Sequence, residues 1–217
     1  MSRKRPDYVS EMTDSPGAPA GKRERLVAGA SKLLHHNGVA ATSLAEIATA
    51  ADVPLGNVYY YFKSKDELIR AVVAEHIEEV DTMLNTLDAI PAPADRLKAL
   101  VRRWDHMREV IARYGCPFGT LACELDRRSD GLDVEAAGPI RRILDWSAAQ
   151  IQHLSSADPH ELAITLFAAV QGGALLANAL RDPDLMSGQV QRLERWIDTL
   201  AAQGPRATVP PATESGV

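Results

Sequence analysis

Apolar residues along this chain recur at steps of three and four rather than in alternation, a period that puts them on one face of successive α-helices. Over 22–37 the positions Leu26, Ala30, Leu33 and Leu34 share a face, and Asn37-Gly38 supplies the stop. Ser43-Leu44-Ala45-Glu46 has the form of a capping box, in which Ser43 accepts from the backbone at Glu46 while Glu46 reaches back to Ser43. A helix over 44–51 follows, with Leu44, Ile47 and Ala48 on one side, and Asp52-Val53-Pro54 turns the chain into a third helix over 55–61. Ser64-Lys65-Asp66-Glu67 is a second capping box, opening a long helix that runs to 87. Beyond Pro91-Ala92-Pro93 the same period predicts helices over 94–114, 117–127, 134–154, 159–180 and 187–203, separated by turns built on Gly, Ser, Asp and Pro. The pattern predicts an all-α fold of about nine helices, with a compact three-helix head followed by a larger helical domain.

Composition agrees with this reading. The chain is 46% hydrophobic but only 5% aromatic, and few segments are rich in the residues that strands favour. Residues 1–21 and 204–217 lack apolar periodicity and are rich in Pro, Gly, Ser and charge, so both read as disordered tails, leaving 22–68 as the head and 69–203 as the second domain. The net charge of −5 argues against nucleic acid only until it is divided. Residues 1–67 hold nine Lys+Arg against eight Asp+Glu, and the remainder holds fifteen against twenty-one, so the acidity belongs to the second domain. Arg3-Lys4-Arg5 has no apolar run behind it, so it is not a secretory signal. The apolar stretch 164–180 is interrupted by Thr165, Gln171 and Asn178 and falls short of the roughly 20 residues of a membrane span, so it reads as a buried helix. With no signal and only Cys116 and Cys123, a cytoplasmic location without a membrane partner is expected.

The segment from Thr42 to Lys65, TSLAEIATAADVPLGNVYYYFKSK, carries the functional information. A short capped helix, a tight turn and a second short helix match a helix-turn-helix in length and order, with Ile47, Ala48, Val53, Val58 and Phe62 as its miniature core. Here the sequence resembles the TetR family. The likeness runs through Asn37-Gly38, Thr42-Ser43, Ile47-Ala48, Val53-Pro54, the run from Gly56 to Phe62, and Lys63-Ser64-Lys65-Asp66-Glu67-Leu68. The resemblance implies a DNA-binding head joined through the long fourth helix to a ligand-binding, dimerising domain, with no catalytic residue and no cofactor.

Carried over position by position, the resemblance assigns Thr42 and Ser43 to phosphates through their side-chain oxygens and the helix N-terminus, and Lys65 to phosphates through its charge. Pro54, Leu55, Gly56 and Asn57 would stand at the base edges, with Tyr59 and Tyr60 bonding phosphates and packing on sugars or thymine methyls. Many relatives carry a basic residue where this chain has Leu55, and a leucine cannot donate to guanine, so Asn57 is left as the main polar reader.

The second domain is less explicit. GCPFGTLACEL, over 115–125, resembles a subgroup of drug- or flavonoid-responsive repressors of the LmrA and YxaF type. Trp104, Met107, Phe118, Leu121, Trp146, Phe167 and Gln171 are large or polar enough to shape a pocket for a small, mostly hydrophobic or aromatic effector, although each is also an ordinary core residue. Leu166, Ala169, Val170, Gly173, Leu176, Ala177 and Leu180, with Leu193, Trp196, Ile197 and Leu200, suit the last two helices to a homodimeric four-helix bundle. Such a dimer implies a palindromic operator, and a ligand-driven change in head spacing transmitted by the fourth helix.

The rival readings are thinner. Cys116 before Pro117 permits redox sensing, but Cys123 lies about two helical turns on, too far for an undistorted disulfide. His35-His36 point apart, and His106-x-x-Glu109 is a two-ligand fragment, so no metal site is expected. No glycine elbow or phosphate loop supports an enzyme.

Overall fold

The computed structural model describes residues 21–204, and the two segments read as tails otherwise lie outside the described residues. Among the described residues eleven helices follow one another: α1 (Lys22–Asn37), α2 (Leu44–Ala50), α3 (Leu55–Tyr61), α4 (Lys65–Asp88), α5 (Pro93–His106), α6 (Arg108–Tyr114), α7 (Pro117–Leu125), α8 (Leu132–Ala136), α9 (Gly138–Ile151), α10 (Pro159–Leu180) and α11 (Asp184–Gln203). No strand occurs among the described residues.

The all-α expectation holds, and α1, α3 and α10 occupy their expected spans, but two expected helices are each divided. The stretch 134–154 breaks at Ala137 because Pro139 has no N–H to give Glu135 and its ring presses on that carbonyl. The stretch 94–114 bends at Met107, where no proline stands. Here α5 packs on α11 while α6 packs on α10, and the chain turns to serve both.

Local signals work unevenly. The box at Ser43 forms in full, with Ser43 Oγ accepting from Glu46 N and the Glu46 carboxylate accepting from Ser43 N at 2.8 Å. The box at Ser64 forms by half: Ser64 Oγ accepts from Glu67 N, but the Glu67 carboxylate takes the N–H of Lys63, at 2.6 Å. The turn between α2 and α3 places Asp52 at φ 51°, a left-handed conformation that short polar side chains tolerate.

Two apolar cores form. The first gathers Leu26, Val27, Ala30, Leu34, Ile47, Ala48, Val53, Val58 and Phe62 with Leu68, Ile69, Val72 and Val73 of α4, and Leu121, Leu125, Leu132 and Ala136 join it from α7 and α8. A division of the chain at residue 68 therefore runs through a core rather than between two. The second core, in the body, is built from α4, α5, α9, α10 and α11 around Trp104, Ile143, Phe167 and Ile197.

The helix expected to be buried, α10, is buried on one face only. Leu166, Val170, Gly173 and Ala177 turn into the protomer, as do Leu193, Ile197 and Leu200 of α11, so they do not offer the outward face that the sequence suggested. Gly173 lies against α11, where an added Cβ would meet Gln189 at 2.9 Å. The outward stripe is Ile164, Ala168, Gly172, Leu175, Leu176, Ala179 and Leu180, with Leu175 68% exposed. By length and composition α10 is apolar enough to cross a membrane, because both its faces are apolar.

Helix α4 runs through both cores and carries two shifted acid–base groups. Burial pushes His76 down from 6.5 to about 4, with the charge of His35 adding to it, while Ser31 Oγ stands 3.1 Å from its Nε2. Burial pushes Glu79 up from 4.5 to about 7, with Glu75 adding to it. The two act in opposite directions. For His76 the unfolded chain takes the proton first, so its contribution is present above pH 6.5 and is lost as pH falls toward 4. For Glu79 the folded chain holds the proton longer, so its contribution is present below pH 4.5 and is lost as pH rises through 7. Glu79→Gln should therefore raise the thermal midpoint at pH 8 by on the order of 5 °C and give little gain at pH 4.5, while His76→Gln should flatten the loss of stability between pH 6.5 and 4. Thermal unfolding over a pH series measures both.

Candidate nucleic-acid interface

Helix α3 spends little of its surface on the fold. Within it Val58 is fully buried, and Phe62, its C-cap residue, closes the other end of the contact with the head core. Leu55, Gly56, Tyr59 and Tyr60 face solvent, Tyr60 at 77% exposure, and Asn57 is half-buried. Pro54 is the N-cap rather than the first helical residue, and its carbonyl accepts from Asn57 N at 2.8 Å. An added Cβ at Gly56 would meet nothing within 4 Å, so the glycine is not required by packing inside this protomer. Large apolar and aromatic side chains left in water side by side on one short helix mark a contact surface.

The helix-turn-helix core is the expected one, since Ile47, Ala48, Val53, Val58 and Phe62 are all buried. Three of the residues assigned to phosphates have prior commitments. Thr42 is buried, and its hydroxyl donates inward to the carbonyls of Gly38 at 2.8 Å and Leu33 at 3.2 Å, so its side chain braces the α1–α2 turn instead of facing DNA. Ser43 is exposed, but its hydroxyl donates to Glu46 at 2.7 Å, which holds the Glu46 carboxyl below its usual range. Lys65 Nζ donates to the carbonyl of Val39. Lys63, exposed beyond the end of α3 with its ammonium on the Tyr59 carbonyl at 2.9 Å, is a cation at this surface that the sequence reading passed over. Its charge beside Lys65 was the available signal.

Residues 26–72 match the family described as bacterial regulatory proteins, tetR family, and residues 93–193 match the tetracyclin repressor-like C-terminal domain. The chain belongs to the TetR family. Among its relatives is an uncharacterized HTH-type transcriptional regulator of Mycobacterium tuberculosis, 28% identical over 188 residues that cover 80% of this chain and 94% of the relative. The HTH-type transcriptional regulator TtgR of Pseudomonas putida is 25% identical over 190 residues, covering 82% of this chain and 88% of that one. A TetR transcriptional regulator from Chloroflexus aurantiacus has the same fold, at a TM-score of 0.73 and 23% identity over 82% of this chain and 94% of the other. As a TetR regulator the chain is a DNA-binding transcription factor and not an enzyme, from a family that binds operators as dimers and responds to small-molecule effectors.

The seven residues named for an effector pocket do not share one place. Trp104, Phe118 and Phe167 are buried in the body core, Met107 is half-buried against that core, and the Trp104 and Phe167 rings meet edge to face at 5.6 Å. Gln171 donates its amide to Cys116 Sγ at 3.4 Å, and that thiol is buried at the N-cap of α7, closed to an oxidant in solution. Leu121 belongs to the head core. Trp146 lies near the surface, its indole N–H on Asp88 at 3.0 Å, and lines an open cleft of about 400 Å³ with Asp81, Leu84, Asn85 and Arg142.

Gly56→Ala separates packing from DNA contact. An alanine inside a helix is worth up to about 1 kcal/mol over glycine, so the thermal midpoint should hold or rise. Operator affinity should fall if DNA backbone comes as close as the family resemblance implies. An anisotropy titration beside a melting curve reads both.

Proposed function

We propose that this TetR regulator is a repressor that acts in the cytoplasm, held as a homodimer on a palindromic operator and released by a small, mostly hydrophobic effector. The observation that carries the DNA half is the solvent-facing set Leu55, Tyr59 and Tyr60 on α3, with Asn57 beside it, which the head does not need for its own stability. Asn57 reads a base edge, Leu55 meets thymine methyls or reads nothing, and the two tyrosines bond phosphates and pack on sugars. Ser43, Lys63 and Lys65 at the flanking helix ends add phosphate contacts.

For the dimer, the outward stripe of α10 supports pairing with its copy, and Gly172 at its centre lets two backbones approach. For the effector, support comes from the Trp104–Phe167 pair in the body core. Trp104 is 1% exposed, and its indole N–H finds no acceptor among the described residues. An aromatic effector bearing a hydrogen-bond acceptor would satisfy it. Binding there shifts the population of head spacings, with α4 as one lever, and linkage requires operator DNA to weaken effector binding in return.

The deciding experiment titrates the purified chain against the DNA upstream of its own gene at two salt concentrations. Tight, salt-weakened binding to one palindrome is expected. Binding that is weak and blind to sequence would count against a reading role for α3. On such an operator Asn57→Ala should cost about tenfold or more in affinity and relax selectivity at one base pair, whereas Leu55→Ala should cost less. Leu176→Glu should convert the dimer to monomer in sedimentation and abolish tight operator binding, leaving the helical content unchanged.

A further inference from the structure

The DNA-facing unit, residues 40–65, is joined to the rest of the chain at two places, and both are held by residues in the last turn of α7 or just beyond it. Where the chain enters the unit, the Val39 N–H donates to Glu124 Oε2 at 2.6 Å while the Val39 carbonyl takes Lys65 Nζ. The neighbouring Gly38, at φ 85°, brings its backbone so near Glu124 that an added Cβ would meet the carboxylate at 3.0 Å. Where the chain leaves the unit, Arg128 Nη1 and Nη2 donate to the two oxygens of Asp66 at 3.0 and 2.7 Å, a fork-on-fork pair that fixes direction as well as distance. Asp130 holds the same guanidinium from the other side at 2.6 Å, and Arg70 ties α4 to Glu135 at 3.1 Å.

Glu124 lies in the last turn of α7 and Arg128 just beyond it, on either side of Leu125, which is buried in the head core. The other end of α7 carries Phe118 in the body core, its ring 5.4 Å from that of His76. We propose that Glu124 and Arg128 are positioning residues for operator binding. They clamp both chain connections of the helix-turn-helix to α7, so that a displacement of α7 re-aims α3 directly instead of only through the bending of α4. Neither residue has to touch DNA. The inference rests on DNA binding by the head and not on the identity of any effector.

The test uses the full chain and a duplex that the wild-type protein selects from a random-sequence pool. Glu124→Ala and Arg128→Met should each lower affinity about tenfold, the worth of one charge-assisted hydrogen bond. The slope of log K against log salt should not change, because no phosphate contact is lost. Glu124→Gln, whose amide oxygen still accepts from Val39, should recover most of the loss. Without DNA, hydrogen exchange over 39–62 should quicken in Glu124→Ala while α9, α10 and α11 keep wild-type protection. A slope shallower by about 0.9 in Arg128→Met would make that guanidinium a phosphate contact and overturn the proposal. Unchanged affinity, or exchange that quickens evenly along the whole chain, would overturn it as well. If the wild-type chain selects no duplex, the DNA reading fails, and the exchange comparison still decides whether the clamp orders the helix-turn-helix.

Discussion

A helix of seven residues is not stable alone in water, and the helix-turn-helix of this protein is built from two of them. α2 and α3 persist because α1 and α4 bury their inner faces, and because α7 and α8 close the same core with Leu121, Leu125 and Leu132. The outer face of α3 is thereby released from any structural duty. Leu55, Tyr59 and Tyr60 can stand in solvent only because Val58 and Phe62 hold the helix from behind.

That dependence makes α4 the central element. It passes through both cores and carries within one turn a histidine that burial keeps neutral and a carboxyl that burial keeps protonated toward pH 7. Their pH responses oppose each other between about pH 4.5 and 6.5, where one loses stability on acidification as the other gains it. Head and body are also bonded directly between α1 and the end of α6: His35 Nε2 stands 2.9 Å from the Gly115 carbonyl, and the His36 and Tyr114 rings stack at 3.9 Å. The head is therefore attached over a surface and not hung from a single helix.

In the body, α10 meets two demands at once. Its inner face packs against α9 and α11, and its outer face repeats apolar residues at helical spacing that nothing among the described residues covers. A helix apolar all round needs protein on both sides or a membrane. The family to which the chain belongs binds operator DNA as dimers, and the proposed pairing of α10 with its copy would meet that need.

What the sequence determined by itself was local. Helical period, the capping box at Ser43 and the turn at Asp52-Val53-Pro54 depend on residues within a few positions of one another, and so α1, α3 and the miniature core of Ile47, Ala48, Val53, Val58 and Phe62 are legible in the order of residues alone. The family likeness pointed to the surface of α3 for the same reason, because its motif is contiguous. What only the tertiary structure decided depends on residues far apart. Thr42 looks available in sequence and is spent on Leu33 and Gly38 once the turn closes. The apolar face of α10 cannot be divided into inward and outward halves until α11 lies against it. The bend at Met107 follows from two partners, α10 and α11, that come much later in the chain. Glu124 meets Val39, and Arg128 meets Asp66, across more than sixty residues. Periodicity and capping act within a turn or two of helix, whereas these contacts exist only after the two cores have brought α7 against the head.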